Sequence, residues 1–444
     1  MENNKNLILG AKDGSYLICK KLIWLYIVLL IFEGALRKWL FPSLSNPLLL
    51  VRDPIVVYLV IIGIHKRLLD FMYVKVMMII CTISFAFSLL FGHHNILVGL
   101  FGWRIYFFHF PVIFILGQFL NRDDILAICR FLLYLSIPMT ILIVIQYYSP
   151  PTAWVNIGVG GEGTAGFGGA NGYMRPPGVF SFTQGYIGYQ GMVGCTLLYY
   201  LIANKTLEYK NRIPDLLLIL ILVCYIIAIP ISISRTNLFQ TILFLVFFLF
   251  IAFLKKGIRT KIFLGMFLIS GLILLLYLSG LLEHNLDTFL ARFDGASKFE
   301  GSVVKGTLGQ RYLGGFLSAF LNIDTPFWGY GIGLGTNAGS AFLGGNMFSF
   351  GFNGEVEWQR IIGESGYILG TLIIGVRLIF SVELLKRAFY KMKDKADILP
   401  WMLASYMIIT LPQGQWAPTS NLGFTVLSAG LTLAAIRTSK HDNL

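Results

Sequence analysis

Long apolar runs separated by short polar connections dominate this chain. A helix of about 20 apolar residues crosses the hydrocarbon core of a bilayer, so a run of that length predicts a membrane span. About twelve runs satisfy or approach this length. They lie near residues 22–40, 54–65, 76–92, 103–120, 125–148, 186–203, 213–230, 236–254, 262–280, 362–381, 398–412 and 421–436. The pattern predicts an all-α, polytopic membrane protein whose residues 1–444 form a single integral membrane domain.

The lysines predict the orientation of this bundle. They cluster in alternate connections, as at Lys20 and Lys21, at Lys66, and between Lys386 and Lys395. Because basic residues are retained on the cytoplasmic side of a membrane, both termini are predicted to be cytoplasmic. The formal net charge of +13 then reflects topology, and no nucleic-acid partner is predicted.

Several arginines fall on the opposite side, at or beyond the outer ends of the apolar runs. A guanidinium binds phosphate oxygens through two parallel hydrogen bonds and stays charged at all physiological pH values. The segregation of these arginines on one side predicts an outward-facing site for a phosphate-bearing substrate. The arginines concerned are Arg104, Arg175, Arg235, Arg311 and Arg360.

Two outer connections are longer than the rest. Residues 149–184 form a loop rich in glycine and proline, and residues 281–359 form a large loop that contains a predicted amphipathic helix at 309–323. Residues 92–102 are predicted to be a short interfacial or re-entrant piece before the fourth run. Long structured loops between spans commonly carry function.

Arg235 lies in the tight hairpin that joins the seventh and eighth runs. Ser232, Ser234 and Thr236 surround it. An arginine at membrane depth is costly and usually functional, although it can also reach lipid phosphate as a simple anchor.

The large loop contains a glycine ladder, with Gly329, Gly331, Gly333 and Gly335 at alternate positions. Alternate glycines permit close approach of the backbone to a ligand and expose N–H groups to oxyanions. A turn-forming role explains them equally well. Nearby side chains that are candidates for substrate binding are Tyr312, Trp328, Tyr330 and His284. The alternative for the aromatic residues is packing in the protein core. The alternative for the histidine is simple exposure to solvent.

Glu357, Arg360 and Glu364 share one face of a predicted helix because they are three and four residues apart. A carboxylate beside an arginine can act as a general base or position an acceptor hydroxyl. The alternative is an ion-pair network at the helix end. Glu355 and Glu357 diverge at i, i+2 on a helix, so no metal site is predicted there.

Two further polar groups lie near the outer ends of spans. Glu33 and Arg37 are four residues apart and are predicted to neutralise each other. Arg104 and His109 lie within the fourth run, where Arg104 is a candidate for the outer site and His109 is predicted to be a packed polar residue.

These features together resemble the O-antigen polymerase and O-antigen ligase superfamily. The resemblance rests on the many spans, the Ser234-Arg235-Thr236 hairpin, the large loop with Gly309-Gln310-Arg311 and the glycine ladder, and the segment from Glu357 to Gly366. It covers roughly residues 175–370.

The resemblance implies an inverting, metal-independent glycosyltransferase of the membrane-embedded, GT-C-like class that needs no cofactor. Its donor would be an undecaprenyl-diphosphate-linked glycan in the bacterial inner membrane, and a chain-length regulator or a flippase would be a possible partner. The diphosphate-binding arginines map best onto Arg235 and Arg311, with Arg175 and Arg360 placed less securely. Glu357 is a candidate catalytic carboxylate.

Three activities follow from these expectations. The ligases have a histidine deep in the large loop, whereas His284 lies at its edge, which favours a polymerase that joins lipid-linked repeat units into a surface polysaccharide. The alternatives are a ligase that moves the finished glycan to a lipid or protein acceptor, and a transporter or flippase. A transporter would have polar residues in broken helices in both halves of the chain, and internal similarity between the halves is not evident.

Overall fold

The computed structural model describes residues 14–161, 168–170, 172–278, 285–291, 319–321, 325–343 and 356–439. Twelve long helices account for most of this part of the chain, and a short helix at Asn337–Phe342 lies in the large loop. The long helices are α1 (Gly14–Ala35), α2 (Asp53–His65), α3 (Met72–Leu90), α4 (Ile96–Phe119), α5 (Arg122–Tyr148), α6 (Thr183–Ala203), α7 (Asp215–Ile231), α8 (Arg235–Leu254), α9 (Lys256–Leu278), α10 (Glu357–Lys395), α11 (Leu399–Gln413) and α12 (Thr419–Arg437).

The protein is an all-helical, polytopic membrane protein. Each of the twelve predicted apolar runs overlaps one long helix of the described chain. Among the described residues, eight helices are long and apolar enough to cross a bilayer. They are α2 with its preceding turn from Pro47, α3, α4, α5, α7 with its preceding turn from Tyr209, α8, α10 and α12. The separate interfacial piece predicted at 92–102 is wrong, because Ile96–Phe119 is one continuous span.

Two helical segments widen into π-helix. Leu36–Leu40 extends the end of α1, and Ile105–His109 interrupts α4 between two α-helical halves. Pro111 lies just after the second segment, where its missing N–H would leave a carbonyl of the preceding turn without a partner. Single-turn π segments inside α-helices are rare and frequently occur at functional sites.

Small residues bring the central helices into close contact. Helix α6 is buried along almost its whole length and packs against α11 and α12. A Cβ at Gly188 would approach Phe424 of α12, and one at Gly191 would overlap the Tyr406 ring of α11. Glycines at helix contacts let two backbones approach closely, which is how helices associate where no water drives them together.

Charged side chains form contacts in two separate groups. One group joins helices at the lysine-rich end: Arg122 donates to both oxygens of Asp397 at 2.9 Å, and Lys255 donates to the Lys393 carbonyl at 2.7 Å. The other group surrounds Arg37, Arg52, Arg104 and Arg360, and we call this part of the bundle the arginine-rich end. Residues predicted to share one side of the membrane therefore also contact one another.

Helix α10 folds back on itself near its beginning. Gly366 has φ 73° and ψ 176°, values that a residue with a side chain rarely adopts. A Cβ there would overlap the backbone at Phe327 and Trp328. The chain therefore reverses at Gly366, and residues 357–365 lie beside residues 367–395 instead of extending them.

Candidate functional site

An ion-pair network occupies the fold-back of α10. Arg360 donates from Nε and Nη2 to the two oxygens of Glu357, both at 2.9 Å, and from Nη1 to Glu364 at 2.7 Å. Arg377 donates to the same Glu357 carboxylate at 2.6 Å. None of these four side chains is more than 3 % exposed. We call Glu357, Arg360, Glu364 and Arg377 the Arg360 network.

The Arg360 network is also bonded to its surroundings. Arg377 donates to the carbonyls of Leu411 and Gly414 at 2.9 and 2.7 Å, and its guanidinium lies 3.8 Å from the ring centroid of Trp416. Arg360 donates to the Tyr106 hydroxyl at 3.2 Å, and the Gly335 N–H donates to Glu364 at 2.7 Å. Two arginines and two glutamates cancel in charge, so the network is formally neutral.

This geometry corresponds to the ion-pair alternative for Glu357, Arg360 and Glu364. Removing one partner of a buried charge pair costs free energy, because the other charge is then left without compensation. Arg360 would have to leave two carboxylates to contact a phosphate. The arrangement therefore favours a role in fixing the fold-back over direct contact with substrate.

The glycine ladder packs against neighbouring backbone. Gly329, Gly331 and Gly333 all have positive φ, and their faces lie against Gly366, the His93 ring and Gly102 respectively. The Tyr330 and Gly331 N–H groups donate to the carbonyls of Gly363 and Glu364 at 2.8 and 3.0 Å. These glycines thus permit close packing of the large loop on α3, α4 and α10, as the turn-forming interpretation requires.

A second charge cluster lies at the junction of α1, α2 and α4. Glu33 pairs with Arg37 at 3.3 Å, which confirms the predicted neighbour contact, and its other oxygen lies 3.4 Å from Arg52. Arg52 also donates to the Thr419 carbonyl at 2.6 Å, and the Thr419 hydroxyl lies 3.4 Å from Glu33. Arg37 is further held by the Ser45 carbonyl at 2.7 Å.

Asp53 connects this cluster to the π segment of α4. Arg104 Nη1 lies 2.8 Å from both oxygens of Asp53, and His109 Nε2 lies 3.1 Å from Oδ1. His109 is only 1 % exposed, so the packed position predicted for it is correct, but it also participates in the charge cluster. We call Glu33, Arg37, Arg52, Asp53, Arg104 and His109 the Asp53 cluster.

The Asp53 cluster differs from the Arg360 network in its balance of charge. Three arginines face two carboxylates, which gives a formal excess of +1 with a neutral histidine. Lys38, the residue after Arg37, is also buried, and it donates to the Gly178 carbonyl at 2.7 Å. Among the described buried side-chain atoms, Arg52 Nε, Arg104 Nε and His109 Nδ1 have no hydrogen-bond partner. Buried cations in excess favour a bound anion.

The π segment at Ile105–His109 and the turn 414–419 connect the two clusters. In the π segment Tyr106 bonds to Arg360 while His109 bonds to Asp53. In the turn, the Trp416 N–H donates to Glu357 at 3.3 Å, and Thr419 contacts Arg52. The arginine-rich end is therefore one continuous polar interior.

Arg175 and Ile233, which lies two residues before Arg235, approach each other around Gly169. A Cβ at Gly169 would meet both the Ile233 side chain and the Arg175 side chain. Arg235 is the first residue of α8, where the Ser234 hydroxyl caps the helix by accepting from the Asn237 N–H at 3.4 Å. Ile233, immediately before the cap, has φ 44°, which is a strained value for a β-branched residue.

The structure brings some of the predicted site residues together and leaves others apart. Glu357, Arg360 and Glu364 come together, and Arg104 joins the Asp53 cluster through Asp53. Arg235 begins α8, and Arg175 lies beside Gly169. Trp328 stacks on Phe91 with ring centroids 5.8 Å apart and is 41 % exposed. Arg311, Tyr312 and His284 lie outside the described residues.

The sequence did not identify Arg52, Asp53 and Arg377 of these clusters, or the nearby Lys38, as site residues. Arg52 and Asp53 follow the apolar turn Pro47–Leu50, and Lys38 and Arg377 lie within apolar runs. Of these residues, Arg377 could have been identified from the sequence, because an arginine in the middle of a span needs a buried partner. Within the described chain, no group of three histidine, cysteine, aspartate or glutamate side chains is placed to hold a metal ion.

Comparison with known proteins yields no relative. No family model, no curated protein and no solved structure matches the chain.

Proposed function

We propose that this protein is a membrane-embedded, inverting glycosyltransferase that needs no metal ion. It would polymerise undecaprenyl-diphosphate-linked repeat units at the periplasmic face of the bacterial inner membrane. The support from the sequence is the resemblance to the O-antigen polymerase and ligase superfamily. The support from the structure is the cationic excess of the buried Asp53 cluster, which is the observation that carries the proposal.

A diphosphate on an isoprenoid is already a good leaving group. Catalysis of glycosyl transfer then requires chiefly cations that stabilise the departing diphosphate, and a site that orients the acceptor hydroxyl. Arginines supply such cations without a metal ion. The arginine-rich end offers several of them in a largely desolvated interior, where their electrostatic effect is stronger than in water.

Different roles follow for the arginines. Arg235 and Arg311 remain the proposed diphosphate-binding residues, with Arg175 placed less securely. In this proposal the neutral Arg360 network positions the large loop and does not contact the phosphate. Its Glu357 and Glu364 would act through the geometry they impose.

The proposal includes a complete topology. All twelve long helices would cross the membrane, including α1, α6, α9 and α11, and both termini would be cytoplasmic. The arginine-rich end would then face the periplasm, where a lipid-linked repeat unit arrives after translocation. The lysine-rich end would face the cytoplasm, in keeping with the positive-inside rule.

The experiment is deletion of the gene, followed by size analysis of the surface glycan and of the lipid-linked glycan pool. Loss of long chains with accumulation of single lipid-linked repeats would support the polymerase. Long chains that remain on undecaprenyl diphosphate but no longer reach their final acceptor would indicate a ligase. An unchanged distribution of glycan lengths would overturn both activities.

A further inference from the structure

Two buried amide side chains connect the turn before Arg235 to the centre of the helix bundle. Asn237 donates from Nδ2 to the Ser232 hydroxyl at 3.2 Å, and Gln240 donates from Nε2 to Asn237 Oδ1 at 3.1 Å. The same Gln240 nitrogen donates to the Ile187 carbonyl of α6, also at 3.1 Å. Asn237 is fully buried, and Gln240 is 4 % exposed. We call Asn237 and Gln240 the amide ladder.

Asn237 holds the turn on both sides of Ile233. Its side chain donates to Ser232, and its backbone N–H donates to the Ser234 hydroxyl at 3.4 Å. The Ser232 hydroxyl is fixed in turn, because it donates to the Ile229 carbonyl at 2.7 Å. Ile233 has φ 44°, and a strained backbone of this kind persists only where the surrounding structure over-determines it. The contacts of Asn237 therefore hold this turn in its strained form.

The turn determines how the Arg235 side chain leaves α8. Arg235 is the first residue of α8 and is half-buried, whereas residues 231–234 are buried. Its Cα position and the direction of its Cα–Cβ bond follow from the turn that ends beside it. The far end of the amide ladder is anchored on α6, which is buried along almost its whole length. A displacement of the turn would therefore require the ladder to break its bond to α6.

This arrangement is better suited to orientation than to stability. Hydrogen bonds between membrane helices contribute little net stability on average, whereas a connected buried polar network selects one arrangement of its side chains. Two parallel bonds from a guanidinium to a phosphate also require a defined orientation. The ladder fixes the part of the chain on which that orientation depends.

We propose that Asn237 and Gln240 are positioning residues that hold Arg235 in the orientation in which it binds the diphosphate of the lipid-linked substrate. The inference rests on the proposed function, which assigns the diphosphate to Arg235. Neither amide contacts the substrate in this account. Both act through the turn at residues 232–235.

The test measures the affinity of undecaprenyl diphosphate for the purified full-length protein in lipid nanodiscs. Asn237→Leu has a similar volume but makes neither side-chain bond, and we expect it to weaken binding roughly tenfold, because small displacements of a binding group are costly. Gln240→Met retains the length of the side chain without its donors and should weaken binding by a similar factor. It also replaces Asn237→Leu in every comparison if that variant does not fold.

Gln190→Leu is the matched control. Gln190 is a buried amide of α6 with 2 % exposure, and its hydrogen bond, to the Tyr186 hydroxyl at 2.8 Å, stays within the same helix. Its replacement should leave the affinity for undecaprenyl diphosphate unchanged. A loss equal to that of Asn237→Leu would show that any missing buried amide weakens binding, and it would overturn the inference.

A double-mutant cycle separates positioning from general destabilisation. If the ladder acts through Arg235, Asn237→Leu should weaken binding in the wild-type protein and have almost no further effect in an Arg235→Ala protein. Two unrelated effects would instead add. Additive losses of affinity would therefore overturn the positioning role, whereas a loss confined to the protein that retains Arg235 would support it.

The outcomes also separate this inference from the proposed function. Normal binding by Arg235→Ala would remove the diphosphate role of Arg235 and the positioning role with it. Weak binding by Arg235→Ala with normal binding by both ladder variants would overturn the positioning role alone. Coupling between Asn237 and Arg235 in a protein whose deletion leaves glycan lengths unchanged would retain the ladder and exclude the polymerase.

Discussion

Glu357 Oε1 lies 2.6 Å from Nη1 of Arg377, although the two residues are twenty positions apart within one continuous helical stretch. In a straight helix, twenty residues span about 30 Å. The contact is possible only because the chain reverses at Gly366. The same reversal places residues 363–366 against the glycine ladder, where the Tyr330 and Gly331 N–H groups donate to the Gly363 and Glu364 carbonyls.

Removing Arg377 should destabilise the protein strongly. Arg377→Gln would leave Glu357 with one arginine and would remove the hydrogen bonds to the Leu411 and Gly414 carbonyls at the end of α11, so we expect a loss of about 3–5 kcal/mol. The measurement is thermal unfolding of the purified protein in detergent. Lys205→Gln is the control, because its pair with Asp215 is exposed at 3.9 Å and should change stability by less than about 1 kcal/mol. Equal effects of the two substitutions would contradict this account of the network.

The reversal itself should depend on glycine. Gly366→Ala would force a side chain into backbone at positive φ, and we expect a loss of stability of at least about 1–3 kcal/mol. Gly375→Ala, nine residues later in α10, meets no atom within 4 Å and should stabilise by up to about 1 kcal/mol. Unfolding temperatures of the two variants provide the comparison. A Gly366→Ala protein with unchanged stability would show that the fold-back does not require this glycine.

Acidification should loosen the docking of the large loop through His93. The Asn95 N–H donates to His93 Nδ1 at 3.0 Å, so the proton lies on Nε2, which contacts the Ile332 carbonyl at 3.1 Å. Burial lowers the pKa of His93 below its ordinary value. Folding therefore favours the neutral form of His93. Its contribution to folding stability is present above the unfolded pKa of about 6.5 and is lost as the pH falls below that value.

The matching measurement is the unfolding temperature between pH 5 and pH 8. We expect His93→Gln to reduce the decline on the acidic side, whereas His94→Gln, an exposed neighbour, should leave the wild-type decline in place. A wild-type protein and a His93→Gln variant with the same pH profile would exclude His93 as its source.

The diphosphate role of Arg235 predicts sensitivity even to lysine. A lysine retains the charge but cannot make two parallel bonds to phosphate, so Arg235→Lys should reduce polymerisation roughly tenfold and Arg235→Ala roughly a hundredfold. The assay is the glycan chain length restored in a deletion strain at matched protein levels. Arg259→Lys, in α9 near the lysine-rich end, is the control. Full activity of Arg235→Lys would argue against bidentate phosphate contact.

The sequence predicts the helices far better than their contacts. Each of the twelve apolar runs overlaps one long helix of the described chain, and eight of these helices have the continuous apolar length that a membrane span requires. Glu33 and Arg37 are predicted as partners because four residues make one helical turn. Sequence spacing does not predict the partner of Arg377, because that residue meets Glu357 only through the reversal at Gly366. Arg52 and Asp53 are likewise paired with side chains on other helices, and no local pattern identifies those helices.

The sequence predicted several residues of the candidate site but only some of the contacts between them. Arg104 and Arg360 do lie at one end of the bundle, linked through the π segment, and Arg360 does contact two glutamates. The sequence could not distinguish an arginine that carboxylates neutralise from one whose charge is left in excess. That difference depends on which charged side chains surround the arginine in the folded protein. Arg360 belongs to the first kind, and the Asp53 cluster as a whole belongs to the second.

The π segment of α4 has a genetic consequence. A π turn corresponds to one residue inserted into an α-helix, and each residue of an α-helix turns the chain by about 100°. Deleting a single codon between Ile105 and His109 would therefore allow a regular helix to re-form while rotating Arg104 and His109 relative to each other. Asp53 would then lose one of these two partners in a protein whose span is otherwise unchanged, so the number of codons in this five-residue segment determines whether the two charge clusters meet.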